Sequence, residues 1–489
     1  MFLSAYWALA AVVGILLSTR LRTLVERARS PLGAVPGPWY SRWTSVGSQY
    51  YWFTGKKAIY VDALHKHYGI CLSLLSHSEV DFASVSAAKQ IHSFRTPFPK
   101  TQYYANLSIG MGAANVFTTT NLAYHGFLRR LLFPPMSEST LKTYEPIVDG
   151  RVRLAVQRMA EEMKKRGAAD VFKWWLFLAT DTIGELAFGD SFRMLEQGRE
   201  NQYSKDMKMI ARLSGLRAEH PTLFKLASYL PLPVFRASVM QVQRIRTYAE
   251  QSLERYRLAV AAEPNNPKPT VFTKLFNAGD EGLSMAEITS QAQAYIIAGS
   301  DTTANTLTFL VWAVCKDEKI KQRLTAELAG LPEDYTDEGL KSLPYLTCVI
   351  KEALRIYAAA PSALPREVTG LGCEIDGYWL PGRVTASTQA YSMHRNPIAF
   401  PDPEKYDPSR WEAPNKDMND LWMAFGAGTH TCIGIHLAQM ELRKSAAAFF
   451  RAFPNARVSL REGFCDDDME QVIYLLMFPK KKRCLIELS

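Results

Sequence analysis

The sequence predicts a mainly α-helical protein with a small β region, built as one large domain behind an N-terminal transmembrane helix. Three observations predict it. The chain opens on an uncharged apolar stretch, it runs in helix-period segments with few interior prolines from about Val61 to Glu352, and eight prolines break the segment Pro361–Pro414 into turns and short strands. At 489 residues the chain is long enough to bury a large core. Hydrophobic residues make up 47% and charged residues 21%, which excludes disorder or a multi-span membrane protein as a description of the whole chain. The net charge of +9 suits nucleic acid, an anionic membrane surface or an acidic protein partner. The only charge run, Lys480–Arg483, reads as a solvated strand or turn and not as a nucleic-acid site.

Residues 1–19 carry no charge and are followed by Arg20, Arg22, Arg27 and Arg29 against a single Glu26. A bilayer span needs roughly 20 apolar residues, and a cleaved signal would place its positive charge ahead of the apolar run rather than behind it. The arginines therefore predict a single-pass anchor with the chain from residue 20 onward on the cytoplasmic side. The prolines of Pro31–Trp39 stop any helix and predict a stiff connector. The sequon Asn106-Leu-Ser108 would stay unused on that side of the membrane. Further along, Ser284-Met-Ala-Glu287 is a capping box. It opens an uninterrupted helical pattern from Met285 to about Cys315, roughly 45 Å at 1.5 Å per residue, long enough to cross the whole body. After the proline-rich stretch, with strands such as Val384–Ser387, helices resume from about Ile435.

Seven scattered cysteines, odd in number and without a Cys-x-x-Cys pair, point to a reducing compartment in which one of them is special. Cys432 stands out. In Phe425-Gly-Ala-Gly428-Thr-His430-Thr-Cys432-Ile-Gly434, glycines let several backbone N–H groups converge on one atom, and the following helix predicts a lowered thiol pKa. The same loop could be a glycine-rich turn with an incidental cysteine. A second segment, Ala298-Gly299-Ser-Asp301-Thr302-Thr303, puts weak helix formers in the middle of an apolar helix. It reads either as a buried kink or as an opened turn where a carboxylate and a hydroxyl relay protons. The third, Glu352-Ala-Leu-Arg355, places an acid and a base on one face among apolar residues, with Arg410 as a further partner.

In this order and spacing the segments resemble the cytochrome P-450 family of haem-thiolate monooxygenases, over essentially the whole chain. The resemblance implies the cytochrome P-450 fold, a single haem-binding catalytic domain at 45–489, a basic and proline-rich linker at 20–44 and the anchor at 1–19. It implies haem b as cofactor, with Cys432 as the axial thiolate to iron and Phe425 beside it in the signature. Asp301 and Thr302 match the acid–alcohol pair that delivers protons to bound dioxygen, and Gly299 the groove where that oxygen sits. Glu352, Arg355 and Arg410 match a structural triad, and Arg129 and Arg366 match propionate partners. His430 stands where arginine is usual, and His125 where many members have tryptophan; both are expected at the propionates, with a charge that is undetermined near pH 6.5. His65 and His67 read as bland residues of a surface helix.

The stretch Pro365–Trp411 looks like the microsomal enzymes of filamentous fungi that tailor secondary metabolites such as polyketides and terpenoids. The implied partners are dioxygen, a small apolar substrate, the endoplasmic reticulum membrane and NADPH-cytochrome P-450 reductase, since no flavin or dinucleotide motif is present; nucleic acid is not expected. A basic face including Arg443 and Lys444 would suit an acidic partner. The family's variable walls map onto Phe94–Phe117, Leu213–Phe235 (the expected lid), Ala292–Ile297, Ala360–Leu364 and Tyr474–Met477. Two other readings remain: a haem-thiolate isomerase or dehydratase, against which the intact Asp301–Thr302 pair argues, and a non-catalytic haem-binding protein, in which that pair would be costly without purpose.

Overall fold

The computed structural model describes residues 2–69, 72–108, 112–262, 270–271 and 283–488. Met1, Cys71 and residues 109–111 of the first expected wall lie outside them. The capping box forms in both directions: Ser284 Oγ accepts from Glu287 N at 3.3 Å, and Ser284 N donates to Glu287 Oε2 at 2.8 Å. The long helix runs Met285–Lys316 and is buried along most of its length, because it is the axis of the core. Helix Val171–Phe188 lies along it, itself covered by helix Glu145–Arg166, and helix Ile435–Ala452 packs against both the long helix and Glu145–Arg166.

Gly299 is set by this crossing. A Cβ added there would stand 2.9 Å from Ile183 Cγ1, so a side chain at this position would have to displace Ile183 of helix Val171–Phe188. The feature that the resemblance read as an oxygen groove faces a neighbouring helix at this residue.

The β region is a second, smaller core. A four-stranded sheet has the order Leu72–Ser76, Glu79–Phe82, Thr385–Thr388, Arg366–Glu367. Its middle pair is parallel, with Phe82 opposite Thr388, and the outer pairs are antiparallel. The strands at 72–82 fall inside the stretch expected to be helical; their Leu, Val and Phe side chains fill the sheet's buried face with Val384 and Ala386. His65 is not on the surface as expected. It is 2% exposed and shares Asp81, at 2.9 Å, with Ser387 Oγ at 2.6 Å, joining helix Lys57–Tyr68 to the sheet.

The expected transmembrane anchor is not supported. From Phe2 onward the expected anchor is part of one helix, Phe2–Arg29, that continues unbroken through Arg20, Arg22, Arg27 and Arg29. Among the described residues no helix is long and apolar enough to cross a membrane; the side chains of residues 2–13 and 16 lie outside the described set. Nor is the proline-rich connector a free spacer: Leu32 and Val35 are buried in the β core, and Pro36 O accepts from Leu74 N at 2.8 Å.

Helix Pro344–Ile356 holds the loop-rich part of the chain in place. Glu352 and Arg355 are fully buried and paired through two bonds of 2.9 Å. Glu352 also accepts from Arg410 Nε at 3.0 Å, Trp411 Nε1 at 2.9 Å and Asp407 N at 2.9 Å, while Arg355 donates to the His394 and Pro403 carbonyls at 2.7 Å each. Replacing Glu352 with Gln leaves two guanidinium groups without their counter-charge. We expect a loss of about 3–5 kcal/mol in unfolding free energy, measured by denaturant titration; an unchanged midpoint would contradict the role of this cluster.

Candidate active site

The loop Phe425–Gly434 is shaped by backbone contacts. Cys432 N–H donates to Phe425 O at 2.9 Å, and Gly434 N–H bonds to the Cys432 sulfur. Phe425 packs on the main core, edge-on to Trp422. Gly428 has φ +63°, and a Cβ there would lie 1.7 Å from the His92 carbonyl oxygen. Cys432 keeps accessible surface, yet its thiol pKa is raised, first by burial, against the opposing pull of Gly434 N–H and Arg129. An accessible face that opens on the interior and not on bulk water reconciles the two. The expected lowering by the helix end is therefore overturned: the helix begins only at Ile435, and desolvation outweighs its dipole. A thiolate-binding metal reverses that balance by displacing the proton.

Around this loop stands a group of cations and histidines. Arg129 donates to Thr431 O at 2.7 Å, tying helix Leu122–Leu132 to the loop. His125, from the same helix, lies 3.1 Å (Nε2) from His430 Nδ1, so the two histidines bond to each other. His430 Nε2 is buried without a partner, as are Arg366 Nε and His92 Nδ1. Arg366 donates to Tyr104 OH at 3.0 Å, and Lys100, opposite it in an isolated bridge, donates to the Val116 and Phe117 carbonyls at 3.0 and 2.7 Å. Among the described residues no carboxylate pairs with Lys100, Arg129 or Arg366. The consequence is visible in their proton affinities. Burial, then Lys100, Arg129 and Arg366, push His125 down to about 4, and burial, then Lys100 and Arg366, hold His430 far below its usual range. Among these cations and without a counter-anion, burial and like charge both favour the neutral form of the two rings. Lys100 and His92 were not picked out from the sequence; Lys100 was hidden inside a segment read as substrate wall.

On the long helix, Thr302 Oγ1 donates to Ala298 O at 2.6 Å, Ser300 Oγ to Ile296 O at 2.7 Å and Asn305 Nδ2 to Asp301 O at 2.7 Å. The hydroxyls thus compete with the backbone ladder as the composition predicted. Asp301 points the other way. Burial raises its pKa, Lys208 and Lys482 oppose the rise, and Glu200, ion-paired to Lys208, adds to it. Lys482 keeps the solvent exposure expected of the basic run, and its charge reaches Asp301 only as a field. Thr303 Oγ1 donates to Glu441 Oε2 at 2.9 Å, and burial raises the Glu441 pKa to about 8. That acid was also not singled out from the sequence, where it reads as an ordinary residue of the helix after Cys432.

Four of the five expected wall segments meet, and the residue before the fifth touches one of them. Tyr103, Tyr104 and Leu107 cluster with Ala218 and Leu475; Ser362 Oγ donates to Tyr474 O at 2.6 Å, and Val116 N to Gln291 Oε1 at 3.0 Å, one residue from Ala292. On the other side of the cysteine helix, a groove of about 390 Å³ is lined by Lys341, Lys351, Trp422, His436 and Gln439 among others. The basic face expected there is largely neutralised. Arg443 is held by Asp337 at 2.8 and 2.7 Å, and Lys444 is 1% exposed, paired with Glu145 at 2.6 Å and Asp149 at 2.8 Å.

The cytochrome P450 family profile matches residues 36–483. The chain is 44% identical to the cytochrome P450 monooxygenase tazI of Aspergillus terreus over 98% of each chain, and 40% identical to the cytochrome P450 monooxygenase orf2 of Aspergillus niger over 97% of each. A third relative, the cytochrome P450 monooxygenase azaI of Aspergillus niger, is 37% identical over 84% of this chain and 92% of that protein. The chain belongs to the cytochrome P450 family and is one of its monooxygenases. The family implies a haem ligated by a cysteine thiolate, and the residues present fit it. One cysteine sulfur accepts a backbone N–H, and beside it a cation cluster without a carboxylate presents unpartnered buried donors, the set that two propionates would satisfy.

Two outcomes follow. Gly428→Ala has no space for its methyl group against the His92 carbonyl, and we expect purified protein with a Soret absorbance per polypeptide near zero; wild-type haem content would contradict this. Glu441 holds a proton between about pH 4.5 and 8 that the unfolded chain releases, so stability falls as the pH rises through this window. Glu441→Gln removes the dependence, and the stability gained should grow by about 1.4 kcal/mol per pH unit, read by denaturant unfolding at pH 5, 6 and 7.

Proposed function

We propose that the protein inserts one oxygen atom from dioxygen into a small apolar molecule, a fungal secondary metabolite of polyketide or terpenoid type. It would do so with haem b bound through Cys432 and electrons from NADPH-cytochrome P-450 reductase, at the cytoplasmic face of the endoplasmic reticulum membrane. The observation that carries this reading is the pairing of a backbone-solvated cysteine sulfur with a carboxylate-free cluster of Lys100, Arg129 and Arg366. The apolar, aromatic make-up of the wall segments supports the substrate class.

The bound haem supplies the oxygen and redox chemistry. Gly434 N–H stabilises the thiolate of Cys432. Arg366, Lys100 and Arg129 would hold and neutralise the propionates, and the unpartnered Nε2 of His430 would be available to one of them. Asp301, whose carboxyl is pushed up by burial against the field of Lys208 and Lys482, would pass protons to the site. Thr302, by turning its hydroxyl away from the Ala298 carbonyl, presents a donor to the oxygen. Tyr103, Tyr104 and Leu475 exclude water.

The test is a carbon monoxide difference spectrum of the dithionite-reduced protein, wild type beside Cys432→Ser, followed by product screening with reductase. We expect a strongly red-shifted Soret band that the variant loses, and product formation only with NADPH. Bound haem without the shifted band would remove Cys432 as ligand. Product without NADPH would favour an isomerase or dehydratase.

A further inference from the structure

Glu441 has no part in the reading above, although it is the acid nearest in sequence to Cys432 on the helix that follows it. It is 2% exposed, its Oε2 accepts from Thr303 Oγ1 at 2.9 Å, and its Oε1 is buried with no partner. Among the described residues no cation compensates it. Lys444, on the same helix, is turned to Glu145 and Asp149. Across the interface, Asp301 lies in the field of Lys208 and Lys482, and on helix Val171–Phe188 Asp181 is held by the Met194 and Leu195 amides. Burying a carboxyl in this way does not favour packing: an apolar side chain of the same size would bury as much area without an unsatisfied oxygen. What the carboxyl adds is direction. Successive residues of a helix are turned by about 100°, so a bond fixed at Thr303 also fixes the rotation of Thr302 and Asp301 about the helix axis. The other end of that bond sits on the helix that begins three residues after Cys432.

We propose that Glu441 is a positioning residue for oxygen activation: its hydrogen bond to Thr303 sets the orientation of the Asp301–Thr302 pair relative to the Cys432 loop. The proposal rests on the haem-thiolate reading above. Glu441 acts through Thr303 and touches neither substrate nor oxygen.

Carbon monoxide bound to the reduced wild-type protein is the probe. Its infrared stretching band senses the polar groups on the long-helix side, while the Soret maximum reports the thiolate. With Glu441→Leu and Thr303→Val we expect a shifted or doubled stretching band with the Soret maximum unchanged. Glu441→Gln and Thr303→Ser, which keep an acceptor and a donor, should restore the single wild-type band. The Glu441→Leu/Thr303→Val double variant should show no more than either alone, as for two ends of one interaction. A wild-type stretching band in folded Thr303→Val, or a Gln variant as altered as the Leu variant, would overturn the proposal. If Glu441→Leu fails to fold, the Thr303 pair decides alone, since it changes only a hydroxyl. Wild-type protein without the red-shifted Soret band would instead sink the functional reading, whatever the Glu441 variants do.

Discussion

The buried carboxylate of Glu352 is the point from which the cysteine loop is hung. It fixes Arg355, whose guanidinium donates to the His394 carbonyl. The His394 ring then donates from Nδ1 to the Arg355 carbonyl at 2.8 Å and accepts Met423 N–H on Nε2 at 2.9 Å. That single tautomer is enforced because both nitrogens are used, and burial lowers the pKa of the ring to about 3. Met423 O accepts from Gly426 N, and Phe425 O from Cys432 N, each at 2.9 Å. A buried ion pair is poor evidence for stability, but here it transmits position: from helix Pro344–Ile356, through one histidine, to the ligand loop.

The cations about the loop work in the opposite sense. After burial, Arg366 and Arg129 lower the proton affinity of Lys100, and the cations together lower that of His125 and His430. Such a cluster stores a repulsion that a dianionic cofactor edge relieves, so the same residues that burden the polypeptide alone favour the loaded protein. The His125–His430 contact follows the same logic. Two neutral imidazoles can share one hydrogen bond among three cations, whereas an arginine at either position would add a further like charge.

Much of this was legible in the sequence, and for identifiable reasons. The long helix, its capping box and the Glu352–Arg355 pair are local patterns, and they appear as read; Arg410, 58 residues further on, joins the pair as expected. The site residues Cys432, Arg129, His125, His430 and Arg366 are brought together from distant parts of the chain. What was missed depends on long-range packing. The strands at 72–82 exist because residues from 366 to 388 supply their partners. Lys100 gains its meaning only from the bridge to Arg366, Glu441 only from Thr303, and His65 only from Asp81. The lowered thiol pKa and the open basic face failed for one reason: both were argued from neighbours along a helix, whereas burial and acids from other helices decide them. The N-terminal expectation failed at its boundary, since nothing in an apolar stretch says where a helix will stop.

Gly428 has a consequence for how the protein is made. The turn that presents the cysteine is moulded against the carbonyl of His92, with no room for a single methyl group between them. The two residues come from opposite ends of the polypeptide, so the last-synthesised loop is cast on a surface that the first-synthesised part must already have formed. The cysteine turn therefore reaches its shape only in a chain that has folded from His92 to Gly428, however complete the glycine-rich motif itself.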